Sequence, residues 1–248
     1  MTRIAKSGRR WANLSNLHES TEPPREAGKP KSQTAIGAAG PGSEKKASSR
    51  ARRNEKSAAR RDAILSAALD EFSARGFAAA RLDDVARRAG VAKGTIYLHF
   101  RDKESLFEEL VRTALGPVVA ALESTTAAEL PLQVSVERII DLFVREIFGT
   151  RRKDVLRLVL TEGPGFPKLA EIYYRAVIRR ALPALRAVLR RALERGEIGN
   201  DALVRFPHLL IAPAIMTILW DALFARFEPL DVAALMRAHL DILFGKRP

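Results

Sequence analysis

Hydrophobic residues recur at helical spacing along most of the chain, and no stretch of any length shows strand-like alternation. In one segment Leu82, Val85, Ala86 and Ala89 recur at i, i+3, i+4 and i+7, which places a single apolar face on a helix of about two turns. Gly90 follows, and a glycine there can adopt the left-handed conformation that ends a helix. The pattern predicts an all-α fold.

A second short helix is predicted over residues 93–99. Ile96 and Phe100 lie four residues apart and can pack inward. The remaining side chains are left for an outer surface: Lys93, Thr95, Tyr97, Leu98 and His99. Two short helices joined by a glycine-containing turn, with polar and aromatic groups exposed on the second, are typical of a helix-turn-helix that reads DNA.

Longer amphipathic helices flank this pair. Upstream, one face of a helix over 56–75 carries Leu65, Ala68, Leu69 and Phe72, and Gly76 is predicted to end it. Downstream, a helix over 104–115 is predicted to bend or break at Gly116 and Pro117. Further helices are predicted over 136–147, 151–162, 168–195, 206–225 and 231–244. Pro183 predicts a kink in the third of these, while Gly149 and Gly196 predict helix ends.

The segment 209–219 is apolar on every side. When it is lengthened to residues 206–225, the segment approaches the length of a membrane span. His208, Pro213 and Asp221 argue against a helix that faces lipid. A helix that is apolar all round is buried on both sides. We therefore expect one side to face the core and the other to face a partner, and we expect no association with a membrane.

Composition and charge narrow the class of protein. The chain has 248 residues, 47% of them hydrophobic, which is sufficient for a sizeable core in one or two domains. Cysteine is absent, which removes disulfides and thiolate metal sites and is compatible with a reducing, cytoplasmic location. The four histidines, His18, His99, His208 and His239, have no metal-ligand spacing, and no nucleophile elbow or phosphate-binding loop occurs. No metal, cofactor or enzyme activity is expected.

Residues 1–53 differ in composition from the rest. They hold twelve Lys and Arg against four Asp and Glu, are rich in Gly, Pro and Ser, and are predicted to be a disordered basic extension. No apolar run follows Met1, so no secretory signal is expected. Three interpretations stay open: a basic arm that contacts phosphate through Arg50, Arg52 and Arg53 or enters a neighbouring minor groove, a solvated extension, or a start codon assigned too far upstream.

The segment 60–110 resembles the amino-terminal region of the TetR family of bacterial transcriptional regulators. The resemblance rests on Gly76-Phe77, Asp84-Val85-Ala86, Ala89-Gly90-Val91, Lys93-Gly94-Thr95-Ile96-Tyr97, His99-Phe100 and Lys103-Glu104-Ser105-Leu106. It implies a DNA-binding domain over 54–103 and a helical effector-binding and dimerisation domain over 104–248. Ala80, Arg81 and Ala92 depart from the family, which usually has Ser or Thr at these helix starts.

DNA contacts are expected from side-chain chemistry and from the resemblance. Lys93 and Thr95 can contact base edges, and Gly94 permits close approach of the backbone. Tyr97, His99 and Lys103 can donate to phosphate oxygens. The expected DNA-binding residues are Arg81, Lys93, Gly94, Thr95, Tyr97, Leu98, His99 and Lys103.

The resemblance also implies a homodimer through the last two long helices, a near-palindromic double-stranded operator and a small-molecule effector. Candidate effector contacts are Phe143, Phe166, Tyr173, Met216 and Trp220, with Arg157 and Glu162 as possible polar anchors; plain core packing is the alternative for each. The expected function is a repressor released from DNA by a hydrophobic or aromatic effector. The alternative is a DNA-organising protein of the same fold without small-molecule control.

Overall fold

The structure, a computed structural model, describes residues 41–245, and all regular secondary structure within this range is helical. The helices are α1 (Pro41–Ala79), α2 (Leu82–Ala89), α3 (Lys93–His99), α4 (Lys103–Ala127), α5 (Leu132–Leu142), α6 (Arg152–Glu162), α7 (Pro167–Tyr173), α8 (Arg179–Glu194), α9 (Ala202–Arg205), α10 (His208–Phe224) and α11 (Val232–Phe244). Two segments are wound as π-helix, Phe143–Phe148 after α5 and Tyr174–Ile178 before α8. The predicted all-α fold is confirmed.

Helix α1 begins earlier than the sequence pattern indicated. It starts at Pro41, so residues 41–53 are helical where the prediction was a disordered extension. Residues 41–53 include five Lys and Arg and two Ala, which favour helix even without an apolar stripe. The rest of the predicted extension, 1–40, lies outside the described residues. At Gly76 (φ 73°, ψ 166°) the helix kinks, and one short turn follows to Ala79.

The predicted helix-turn-helix is confirmed at α2 and α3. Gly90 is left-handed (φ 69°), and the Val91 N–H donates to the carbonyl of Ala86 at 3.0 Å, which closes α2 and turns the chain. Ile96 and Phe100 are buried as predicted. The inward residues of both short helices therefore lock them against α1 and leave the opposite side of α3 to solvent.

Three prolines lie inside continuous helices, namely Pro117 of α4, Pro183 of α8 and Pro213 of α10. Helix α4 runs through Pro117 to Ala127, so of the bend or break predicted at Gly116 and Pro117, the break is wrong. Proline removes only one hydrogen bond, and the neighbouring Val118 and Val119 are buried, so packing outweighs that loss. Helix α8 likewise runs through Pro183, with the second π-helical segment directly before it. Gly196 (φ 69°) follows the end of α8 as predicted.

The helices enclose two hydrophobic cores. The first core is formed by α1, α2, α3, α4, α6 and α7. Phe72, Phe77 and Phe107 lie within it, with ring centroids 5.3–6.1 Å apart. The second core is formed mainly by α5, α8, α10 and α11. Leu156 of α6 packs against both cores, so α6 joins the helix-turn-helix part to the remaining helices. Within residues 41–245, none of the helices has the combination of length and hydrophobicity that crossing a bilayer requires.

Candidate nucleic-acid interface and ligand cavity

The outer side of α3 exposes polar and apolar groups together. Leu98 is 85% exposed and Tyr97 is 47% exposed, although both carry large hydrophobic side chains. Lys93 and His99 are also exposed, and Thr95 is half-buried. Burying large apolar side chains is favourable, so a helix that presents them to solvent beside cationic and hydrogen-bonding groups is suited to a partner surface.

An acidic residue of α2 holds two of these groups. The Lys93 ammonium lies 2.7 Å from Oδ2 of Asp83, and the Tyr97 hydroxyl donates to Oδ1 of Asp83 at 3.2 Å. The hydrogen bond from Lys93 holds the pKa of the Asp83 carboxyl below its ordinary value, and the same bond raises the pKa of Lys93. Sequence spacing does not reveal the role of Asp83, because the contact joins two helices across the turn.

Lys103, for which a phosphate contact stays a prediction, also makes contacts within the protein. Its ammonium donates to the carbonyls of Phe77 (2.8 Å) and Ala78 (2.9 Å) and lies 4.7 Å from the centroid of the Phe77 ring. These carbonyls belong to the last turn of α1, where no further helical N–H is available to them. The Lys103 side chain therefore ties the end of α1 to the start of α4.

Helix α4 begins with a capping box, whereas α2 and α3 have no side-chain cap. Asp102 accepts from the Ser105 N–H at 2.7 Å, which holds the pKa of the Asp102 carboxyl below its ordinary value, and the Asp102 N–H donates to the Ser105 hydroxyl at 3.3 Å. Arg81 and Ala92 occupy the cap positions of α2 and α3 without a side-chain bond. Arg81 is exposed at the start of α2, where a helix terminus favours anions.

A cavity of about 200 Å³ lies among α4, α5, α6, α8, α10 and α11. Of the predicted effector contacts, Phe143 and Tyr173 line it. All lining side chains are apolar except that of Tyr173, which carries the one hydroxyl of the wall. Burial raises the pKa of Tyr173 to about 12. Both π-helical segments border the cavity, through Phe143 and Ile147 and through Val177 and Ile178.

Three of the predicted effector contacts instead stabilise the first core and its edge. Glu162 accepts a hydrogen bond from the backbone N–H of Phe77 at 3.3 Å. Phe166 packs edge-on against the Phe77 ring, with centroids 5.3 Å apart. Arg157 pairs with Asp154 at 3.4 Å on the same helix. None of the three lines the cavity, because the start of α7 and the outer side of α6 face α1 or solvent.

The two remaining candidates lie on α10 away from the cavity wall. Met216 is 39% exposed, and the Trp220 indole N–H donates to the carbonyl of Glu228 at 2.8 Å. Other residues that line the cavity, such as Ile139, Leu156 and Ile211, were not singled out from the sequence. Helical periodicity identifies an apolar position but does not tell whether it meets another side chain or an open cavity.

Two protein-family models, one for each end of the fold, match most of the described residues. Residues 64–110 match the family described as bacterial regulatory proteins, tetR family, and residues 131–239 match the tetracyclin repressor-like C-terminal domain. The chain is 28% identical over 138 residues to the HTH-type transcriptional regulator SrpR of Pseudomonas putida, an alignment that covers 56% of this chain and 63% of SrpR. The chain thus spans under two thirds of the length of that relative.

Solved structures share the fold at low sequence identity. FadR of Bacillus subtilis in complex with stearoyl-CoA superposes with a TM-score of 0.59 at 22% identity, over 75% of this chain and 98% of FadR. The SmeT–triclosan complex superposes with a TM-score of 0.63 at 21% identity, over 77% of this chain and 98% of SmeT. A helix-turn-helix followed by a helical domain is the architecture of a bacterial regulatory protein, and this chain belongs to the TetR family.

Proposed function

We propose that the chain is a DNA-binding transcriptional regulator, acting as a repressor that a small hydrophobic or aromatic effector releases from its operator. The observation that carries the proposal is the outer side of α3. Its exposed Lys93, Tyr97, Leu98 and His99 stand on a helix that Ile96 fixes to the core. A short helix held rigidly with such groups outward is the form that enters a major groove.

Each exposed group has a DNA contact suited to its chemistry. Lys93 and Thr95 face base edges, with Gly94 allowing the backbone to approach, and Leu98 contacts thymine methyl groups. Tyr97, His99 and Arg81 donate to phosphates. One of the three N–H donors of the Lys93 ammonium faces Asp83, which leaves donors for an acceptor on DNA.

The protein acts as a homodimer through α10 and α11. Along α10, apolar residues at alternating spacings of three and four form a stripe that is exposed or half-buried: Leu209, Ala212, Met216, Leu219 and Leu223. This spacing is typical of a helix seam that packs against another helix. Ile242 extends the exposed apolar surface onto α11, where it is 82% exposed. A two-fold dimer then reads a near-palindromic operator.

The effector binds in the cavity of the helical domain. Its apolar wall supports a hydrophobic ligand, and solved complexes of the same fold hold stearoyl-CoA in FadR and triclosan in SmeT. Residues 54–103 then form the DNA-binding domain and 104–248 the effector-binding and dimerisation domain. Binding of the effector changes the spacing of the two α3 helices and lowers DNA affinity by about 1–3 kcal/mol, the usual range of allosteric coupling.

The test is fluorescence anisotropy of full-length protein with duplex DNA across a salt series. Replacing Tyr97 and His99 together with Ala should weaken binding to operator and scrambled duplexes alike, because phosphate contacts carry no sequence information. Replacing Lys93 and Thr95 with Ala should instead reduce the preference for the operator. Wild-type affinity in both double variants would contradict the assignment of α3 as the DNA-reading helix.

A further inference from the structure

The wall of the cavity lacks any group that could neutralise a charged ligand. Its side chains come from Val, Leu, Ile, Ala, Phe and Met, together with Tyr173. An ion that enters such a space loses its hydration and gains no counter-charge, which is strongly unfavourable. The wall therefore selects against carboxylates, phosphates and ammonium ions.

Tyr173 supplies the one side-chain hydrogen bond that the wall offers. Its hydroxyl makes no hydrogen bond to another group within residues 41–245. A phenol keeps its proton at neutral pH even at its ordinary pKa, and burial raises the pKa of Tyr173 further, to about 12, so the hydroxyl can donate. The neighbouring Tyr174 is 55% exposed and does not line the cavity.

The size and the walls of the cavity limit the shape of the ligand. An engineered apolar cavity of about 150 Å³ binds benzene, so the present volume of about 200 Å³ accommodates a substituted ring or two fused rings. The π-helical segments that contribute Ile147 and Val177 are a further indication of a site, since π-helical turns occur frequently at functional positions.

From these observations we propose that the cavity binds an uncharged aromatic compound of one or two rings with a single oxygen, and that the Tyr173 hydroxyl donates a hydrogen bond to that oxygen. The inference rests on the proposed function in that this ligand is the effector that releases DNA. It goes further by excluding anionic compounds of the same size and by assigning the polar contact to one residue.

Isothermal titration calorimetry of the full-length protein without DNA tests the inference with three probes of matched size. At pH 7 1-naphthol is neutral, 1-naphthoate is ionised, and naphthalene lacks the oxygen. We expect 1-naphthol to bind at least about tenfold more tightly than 1-naphthoate, because only the anion carries an uncompensated charge into the cavity. Equal or tighter binding of 1-naphthoate would overturn the proposal, as would the absence of 1-naphthol binding up to its solubility limit.

The variant Y173F tests the assigned contact, and Y174F is its matched control. Y173F should weaken 1-naphthol binding by about three- to tenfold, the usual worth of one net hydrogen bond, and change naphthalene binding by less than about twofold. Y174F should leave both affinities unchanged. Naphthalene binding also reports whether Y173F is folded, and an unchanged affinity of folded Y173F for 1-naphthol would contradict the role of Tyr173.

Failure of this inference is separable from failure of the proposed function. DNA binding in the absence of any probe is measured independently by anisotropy. If 1-naphthol binds as expected without lowering DNA affinity, the ligand class stands and the release step of the proposed function fails. If 1-naphthoate binds more tightly than 1-naphthol and releases the protein from DNA, the release step stands and the proposed ligand class fails.

Discussion

The carboxylate of Glu162, the last residue of α6, accepts a hydrogen bond from the backbone N–H of Phe77 at 3.3 Å, one residue beyond the kink of α1 at Gly76. The same helix contributes Leu156 and Val159 to the cavity wall. One rigid helix of eleven residues thus touches both the ligand cavity and the end of α1, against which the helix-turn-helix packs. A shift of α6 on effector binding has a direct mechanical connection to α1.

Gly76 should be less replaceable than Gly90, although both have a positive φ. Its conformation (φ 73°, ψ 166°) is essentially restricted to glycine, and an added Cβ would lie 3.1 Å from Oε1 of Glu162. G76A should therefore lower the free energy of unfolding by about 1–3 kcal/mol. The matched control is G90A, where φ is 69° in the ordinary left-handed region and no atom lies within 4 Å of the added Cβ. Chemical denaturation measures both, and an equal loss in the two variants would contradict the close approach of Glu162.

Removing the Glu162 carboxylate should uncouple the cavity from DNA binding. In E162A we expect unchanged affinity for 1-naphthol, because Glu162 does not line the cavity, and a reduction of about 0.5–2 kcal/mol in the coupling between ligand and DNA. E162Q keeps an acceptor oxygen for the Phe77 N–H and should retain most of the coupling. Anisotropy titrations with and without 1-naphthol give the coupling free energy between ligand and DNA. Wild-type coupling in E162A would show that the hydrogen bond between Glu162 and Phe77 does not connect the cavity to the DNA-binding helices.

Asp83 should restrain DNA binding. Its carboxylate holds Lys93 and Tyr97 and adds a negative charge close to the surface that meets DNA. D83N should raise the affinity for scrambled duplex by at least about twofold and steepen the salt dependence by up to about one unit, because repulsion from phosphate is removed. D141N, which removes the same charge from the exposed surface of α5, should leave DNA affinity unchanged. Weaker binding by D83N would show instead that Asp83 positions Lys93 productively.

The effect of Asp83 should not vary with pH in the neutral range. Its pKa lies below the ordinary value because Lys93 donates to it, so the ion pair is complete above that ordinary value and is lost only as pH falls through the lowered pKa. The ratio of D83N to wild-type affinity should therefore be the same at about pH 6 and pH 8. A ratio that changes over this interval would mean that another titrating group controls Lys93.

The exposed stripe of α10 should determine the oligomeric state. L223E places a charge on this apolar stripe, twice per two-fold interface, and should convert the dimer to monomer at micromolar concentration in sedimentation velocity. L98E, the same substitution at the exposed residue of α3, should leave the dimer intact and weaken DNA binding. Dimeric L223E would contradict the assignment of this stripe to the interface.

Local features of the chain were predictable from the sequence. Which side of a long helix meets the cavity was not. The α2–α3 corner followed from Gly90 and from the spacing of Ile96 and Phe100, which are determined within about twenty residues. Met216 and Trp220 were expected at the cavity but lie on other sides of α10. That helix is apolar all round, so its sequence carries no periodic signal for the side that meets the ligand.

The directions taken by long side chains explain why the contacts of Lys103 and Asp83 were not predicted. Lys103 was expected to reach phosphate from the start of α4, yet it turns to the carbonyls of Phe77 and Ala78. A flexible ammonium takes whichever acceptors the tertiary fold brings near, and unsatisfied carbonyls at a helix end are strong acceptors. The Asp83–Lys93 pair was missed for the same reason, because sequence spacing does not show which side chains meet across a turn.

Selection of bound fragments from a pool of random duplexes measures DNA binding, sequence reading by α3 and two-fold symmetry in one experiment. We predict enrichment of a near-palindromic site whose half-sites lie about 34–36 Å apart, or a multiple of that distance. The enrichment should be lost in the variant with Lys93 and Thr95 replaced by Ala. A pool that binds without enrichment of any sequence would contradict operator recognition and favour a DNA-organising protein of the same fold.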